Sequence, residues 1–242
     1  MEKLTAEQVY DRLVNVDKIL EVKGQIKFFL GNVNIIVKQR DVVGNIMQEW
    51  LEGWLKENDI AFSPNPNTQM PPDLFLDPDN KEENLLEVKA FNYNASPGFD
   101  IADFRAYQEE IIDKPYMLHV KYLIFGYEMT EDGYVIIRDL WLKNVWEISS
   151  PSEKYPVKNQ NKRGVIYNLR PSTWYSDKGD YPSFTCLEHF LAAMEQTIYN
   201  YGPTNSMADG WLDTVISNYK KFYGVELKVP RWIDIKSEYQ KR

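Results

Sequence analysis

One cysteine, Cys186, and two histidines, His119 and His189, stand in 242 residues. An internal disulfide is therefore impossible, and a zinc site built from several thiolates is excluded. The histidines lie far apart and in different predicted elements, which sets aside a His-based metal finger; structural roles are expected for both. No run approaches the roughly 20 consecutive apolar residues of a membrane span. The opening MEKLTAEQVYDR is charged and lacks an apolar stretch, so no secretory leader is expected and the chain reads as soluble and cytoplasmic. Neither GxxxxGK[ST] nor GxGxxG after a strand is present, which leaves nucleotide-driven chemistry unsupported. Internal repeats and low-complexity linkers are also missing.

What the chain does contain is enough apolar material to fold: 43% hydrophobic and 14% aromatic residues suit a globular protein with a substantial core. A single domain over 1–242 is expected, with a catalytic core at about 40–145 and a helical and basic region at about 146–242. The net charge of −8 is unfavourable for nucleic acid, because phosphate binding needs Lys and Arg. The sum hides an asymmetry. Between Lys154 and Ser176 there is no acidic residue, while Lys154, Lys158, Lys162, Arg163 and Arg170 alternate with Tyr155, Tyr167, Trp174 and Tyr175.

Thr5 with Gln8 three residues on reads as a capping box, and Val9, Leu13 and Val16 follow at helical spacing. Gln25–Leu30 and Val33–Lys38 flank Gly31-Asn32, a hairpin signal. From Val42 the pattern turns helical: Val42, Val43, Ile46, Met47, Trp50, Leu51, Trp54 and Leu55 form one wide apolar stripe, and the helix ends near Lys56–Asp59. A loop rich in Pro and Asn then feeds a short strand, Asp73–Asp77, a turn at Pro78-Asp79-Asn80, and a strand from Leu85 to Phe91. A helix over Asp100–Asp113, strands at Lys121–Glu128 and Tyr134–Leu142, and helices at Ser183–Tyr199 and Ala208–Phe222 complete the reading. The order predicts an α/β fold, a mixed sheet flanked by helices.

Pro72-Asp73, followed after thirteen residues by Glu87-Val88-Lys89, carries the chemistry. Side chains alternate along a strand, so Glu87 and Lys89 share one face while Leu86 and Val88 point into the core. Pairing through the Pro78-Asp79-Asn80 turn brings Asp73 beside them, and an exposed edge bearing two carboxylates and one ammonium is expected. Oxygen ligands of this kind suit Mg²⁺, which takes one or two carboxylates plus substrate phosphate. Lys89 would activate or orient water, or stabilise charge at phosphorus. An ordinary surface Glu–Lys hairpin has the same tripeptide, as do Glu21-Val22-Lys23, Glu226-Leu227-Lys228 and Asp234-Ile235-Lys236. None of those three follows a Pro-Asp at hairpin distance. Glu49 and Glu52 flank the apolar helix stripe, and Glu49, with Asn45 on its side, is the expected further acidic partner.

These residues resemble the PD-(D/E)XK nuclease superfamily and its type II restriction endonucleases. The runs NPNTQMPPD (65–73), LLEVKAFNYNASPGFDIADF (85–104) and KYLIFGYE (121–128) resemble more specifically the NgoBV/NlaIV group, over roughly residues 20–225. The resemblance implies a restriction-endonuclease-like core and a homodimeric type II enzyme. It further implies Mg²⁺-dependent cutting of double-stranded DNA at a palindrome of the form GGNNCC, alongside a cognate DNA methyltransferase. Asp73 and Glu87 would hold the metal. Asn92, Asn94 and Ser96 follow the catalytic strand and are candidates for DNA contact; Lys158, Lys162, Arg163 and Arg170 are candidates for guanine or phosphate contact. Two rivals stand beside this reading: a repair or junction-resolving nuclease that reads DNA shape, and a non-catalytic DNA-binding protein.

Overall fold

The capping box forms as read. Thr5 Oγ1 accepts from the Gln8 N–H at 3.3 Å and Gln8 Oε1 accepts from the Thr5 N–H at 2.8 Å, starting helix α1 (Ala6–Asp11). The helix continues as a π turn over Arg12–Val16. Val9 and Leu13 are fully buried, but the wider π turn carries Val16 off the stripe, and it is 66% exposed.

The structure is a computed structural model that describes residues 1–67 and 70–242; Thr68 and Gln69, within the run NPNTQMPPD, lie outside the described residues. The chain divides into two compact units. Of the described residues, the first comprises 1–67, Pro72–Phe99 and Lys121–Lys143, and the second 70–71, Asp100–Val120 and Asn144–Arg242.

The first unit holds a six-stranded mixed sheet. Its strands are β1 (Lys23–Gln25), β4 (Ser63–Pro64), β5 (Leu74–Phe75), β6 (Leu85–Asn92), β7 (Lys121–Met129) and β8 (Tyr134–Asn144), in the order β1-β8-β7-β6-β5-β4. β5 runs antiparallel to β6 with Leu74 opposite Leu86, whereas β6 and β7 are parallel with Val88 opposite Leu123. The Gly31-Asn32 hairpin stands as a separate two-stranded sheet, β2 (Lys27–Leu30) with β3 (Val33–Ile36). Gly133 turns β7 into β8 at φ +80°, and a Cβ there would meet Ile36 Cγ2 at 2.6 Å. Only glycine fits both the dihedral and the gap.

Helix α2 (Val43–Glu57) confirms the long apolar stripe: Val43, Met47, Leu51 and Leu55 are buried. They join Leu74, Leu86, Val88, Leu123 and Phe125 in one core. Each such side chain contributes about 1.5–3 kcal/mol by leaving water, so this core fixes both the rotation of α2 and the face that β6 turns towards it.

In the second unit, Asp103 caps helix α3 (Phe104–Asp113) by accepting from the Ala106 N–H at 2.8 Å. Helices α4 (Leu187–Asn200), α5 (Trp211–Tyr223) and the short α6 (Trp232–Ile235) follow. Trp211 Nε1 donates to the Gln108 carbonyl at 3.0 Å and Asn218 Nδ2 to that of Ile112 at 2.9 Å, tying α5 to α3. The basic stretch folds as a hairpin of β9 (Asn159–Lys162) and β10 (Val165–Leu169), two strands that its charge did not announce.

Candidate active site

Leu86 and Val88 project from β6 into the core, which sends Glu87 and Lys89 to the opposite face. Their charged ends meet there, with Lys89 Nζ 2.6 Å from Glu87 Oε1. Asp73 immediately precedes β5, and its Oδ2 accepts the Val88 N–H at 2.8 Å. That bond crosses the gap between the strands and locks the aspartate beside Glu87. The three residues of the sequence motif are thus brought together, and the hairpin turn between them does what its spacing implied.

Their surroundings differ from the exposed edge expected from sequence. Glu87 is only 4% exposed, and it stands on β6, an interior strand of the sheet with β5 on one side and β7 on the other. Burial pushes the Glu87 carboxyl up to about 7; the neighbouring Asp73 raises it further, while Lys89 pulls it down. Asp73 is also raised, chiefly by burial, with partial relief from the Val88 N–H and from Lys89. Glu87 Oε2 is buried and has no hydrogen-bond partner. A buried, unpaired carboxylate oxygen is costly, and here it lies within a cluster of charged groups.

The helix carboxylates divide differently from expectation. Glu49 is exposed, whereas Glu52 is partly buried, accepts from Gln48 Nε2 at 3.4 Å and adds to the upward pressure on Asp73. At about 100° per residue, Glu49 stands roughly opposite the middle of the buried stripe and Glu52 at its flank. Glu52 is therefore the helix acid that faces the Asp73 carboxylate.

The three look-alike tripeptides lie elsewhere. Glu21 pairs with Arg138, Glu226 with Lys220 at 2.6 Å, and Asp234 with Arg231 at 2.9 Å, all largely exposed. Asp79, the second Pro-Asp, is exposed and pairs with Lys3 at 2.8 Å.

Comparison with known proteins decides the family. The model of the NgoBV restriction endonuclease family matches residues 3–239. The chain belongs to the NgoBV restriction endonuclease family. The type II restriction enzyme NlaIV of Neisseria lactamica is 53% identical over 243 residues, spanning 100% of both proteins. The type II restriction enzyme NgoBV of Neisseria gonorrhoeae is 52% identical over 163 residues, 67% of this chain and 93% of that protein. A solved NlaIV restriction endonuclease superposes with a TM-score of 0.95 at 53% identity, covering 99% of this chain and 98% of that one. This member of the NgoBV family is accordingly a type II restriction endonuclease with the restriction-endonuclease-like α/β fold.

Within that family assignment, the remaining candidate residues separate by environment. Asn92 ends β6, and its Oδ1 accepts the Asn94 N–H at 3.1 Å, so part of its capacity shapes the loop. Asn94 and Ser96 are exposed beyond it. Below this loop, Tyr93 stacks on Trp141 at 6.2 Å, and a Cβ on Gly126 would meet both rings at 2.9 Å. In the second unit, Lys162 and Arg163 are exposed at the β9–β10 turn, where Arg163 adopts φ +53°. Lys158 instead donates its ammonium to the Pro171 carbonyl at 2.9 Å, and burial lowers its pKa. Arg170 pairs with Asp100 at 3.2 Å. The histidines sit in aromatic clusters, His119 bonded to the Tyr219 hydroxyl at 2.8 Å and His189 to that of Tyr239 at 2.7 Å. No helix among the described residues is long and apolar enough to cross a membrane.

Proposed function

We propose that the chain cuts both strands of DNA by Mg²⁺-dependent hydrolysis at a short palindrome of the form GGNNCC, leaving 5′-phosphate and 3′-hydroxyl ends. The observation that carries the chemistry is the convergence of Asp73, Glu87 and Lys89, with one Glu87 oxygen buried and unpaired. The site preference rests on resemblance to the NgoBV/NlaIV group.

The donors present fit Mg²⁺. Among the described residues no group of three or more His, Cys, Asp or Glu is gathered for a metal, which leaves a carboxylate pair. Mg²⁺ is commonly held by one or two carboxylates together with water and substrate phosphate. Glu87 Oε2 is an acceptor awaiting a cationic partner. When bound, the metal would supply charge stabilisation at the scissile phosphate. Asp73 and Glu87 would hold it. Asp73 is fixed in place by the Val88 N–H, so its position costs no reorganisation during the reaction. Lys89 pairs with Glu87; with that carboxylate holding a metal, its ammonium would orient the attacking water or offset charge at phosphorus. Glu52, rather than Glu49, is the acidic partner at the flank. Asn94, Ser96, Lys162 and Arg163 are the most accessible of the candidate DNA contacts, Asn92, Lys158 and Arg170 having internal bonds. Two copies acting about a two-fold axis would match the palindrome, one per strand. The enzyme would work in the cytoplasm beside a methyltransferase that protects the same site.

Incubation with plasmid in Mg²⁺, followed by sequencing of the ends, tests the reading. Cuts confined to one palindrome are expected. Asp73→Ala and Glu87→Ala should abolish cleavage with circular dichroism unchanged, and Lys89→Ala should slow it about 10²–10⁴-fold. Lys23→Ala and Lys228→Ala should cut normally. Near-normal cutting by Asp73→Ala or Glu87→Ala would overturn the site.

A further inference from the structure

The β2–β3 hairpin presents an uncovered apolar face. Its register places Phe28 opposite Ile35 and Leu30 opposite Val33, so these four side chains share one side. Their exposures are 54%, 52%, 72% and 65%. The other side alternates differently, carrying Lys27, Phe29, Asn34 and Ile36. A face of four large apolar residues leaves on the order of 400 Å² in water, already within the largest patch a monomer usually tolerates. Beside it lies a cavity of about 160 Å³ lined by Val22, Ile26, Ile46 and Trp50, in which Ile26 directly precedes β2. Apolar protrusion and apolar recess are thus adjacent on the same unit.

We propose that this hairpin face is the surface through which two copies of the chain associate across a two-fold axis. This deepens the dimer assumed in the proposed function and rests on it. A two-fold contact places the same patch on both partners, so a self-complementary apolar face is what it requires. With the mouth of the recess, each copy would contribute about 600 Å², and two copies would bury on the order of 1,200 Å², the lower end of specific interfaces. Charge favours this occupant over DNA. From Ile26 to Ile36 the one charged residue is Lys27, and it lies on the opposite side, whereas phosphate contact needs cations on the contacting face. Two chains of net charge −8 repel at long range, and a contact face without carboxylates adds nothing to that repulsion.

The test is sedimentation velocity of the full chain without DNA, comparing wild type with Phe28→Asp, Ile35→Asp and, on the other side of the hairpin, Phe29→Asp. All three positions are at least half exposed, so the fold should survive, which circular dichroism verifies. Wild type and Phe29→Asp should be dimers; Phe28→Asp and Ile35→Asp should be monomers, their dissociation constants raised by about two orders of magnitude. In Mg²⁺ the two monomeric variants should nick one strand in preference to cutting both. A wild-type monomer that still cuts at its palindrome would overturn this inference and leave the nuclease reading standing. Variants that remain dimeric would show that another surface pairs the copies. If they also lost DNA affinity in Ca²⁺, the hairpin would be a DNA wedge instead.

Discussion

Glu52 and Glu49 are three residues apart on one helix, yet they occupy different electrostatic worlds. Glu52 repels Asp73 across a partly buried gap, while Glu49 faces outwards. Neutralising Glu52 should therefore alter how the Asp73–Glu87 pair holds a cation. Partners behind metal ligands are typically worth about 10–100-fold, and a loss of that size is expected for Glu52→Gln in cleavage rate, together with a changed Mg²⁺ requirement. Glu49→Gln should remain near wild type. Titrating Mg²⁺ in cleavage assays of both variants checks this, and the opposite ranking would return the role to Glu49. The triad itself was legible because strand alternation is local: Glu87 and Lys89 must share a face wherever the strand lies. The choice between Glu49 and Glu52 was not, since it depends on how far α2 rotates about its axis, and that is set by the burial of Met47, Leu51 and Leu55.

Hairpin β9–β10 shows at the level of an element what a charge count alone misses. Five cations in an acid-free stretch read as one patch, but the fold commits Lys158 to the Pro171 carbonyl and Arg170 to Asp100, sets Lys154 over the Tyr155 ring before the hairpin, and leaves Lys162 and Arg163 at the turn. Lys162→Ala with Arg163→Ala should weaken DNA binding, measured in Ca²⁺, and flatten the salt dependence by about one unit for each phosphate no longer neutralised. A narrower gap between cognate and random DNA would instead mark base reading. Lys158→Ala should act mainly on stability, visible as a lower Tm. Unchanged affinity and salt slope in the double variant would move recognition to the Asn92–Ser96 loop. The main helices and strands were legible from periodicity and caps. β9–β10 escaped because its turn, Arg163-Gly164, sits among polar residues with too little alternation to mark strands.

Stability of the whole molecule should carry the mark of the buried acid. Glu87 titrates near 7 in the folded chain against 4.5 for the ordinary group. Its contribution is therefore fully present below the lower value and is lost as pH rises through the upper one, up to about 3 kcal/mol by pH 8. Asp73, also raised, acts in the same direction. In chelator, Tm should fall between pH 5 and pH 8, and Glu87→Gln, which keeps the shape without the charge, should fall less. Parallel Tm profiles for the two proteins would refute this account. Nothing in the motif announced that cost, because strand alternation gives the face a side chain takes but not what covers that face. The chain's passage from one compact unit to the other and back over Asp100–Val120 left no mark in the sequence, where only a helix over Asp100–Asp113 is read.

That passage has a consequence for heredity. The chain leaves the first unit after Phe99, builds α3 in the second, and returns at Lys121. A recombination event that joined the front of this gene to the back of a diverged relative, anywhere between codon 120 and the start of α5, would seat α3 from one parent against α5 from the other. The bonds from Trp211 and Asn218 reach backbone carbonyls of α3 and would survive such a mosaic. The buried side chains of Phe104, Tyr107 and Ile111 would have to fit a partner surface that had drifted separately. Viable offspring of such exchanges should therefore be rare, and lineages of this enzyme should pass on their coding sequence as an undivided block.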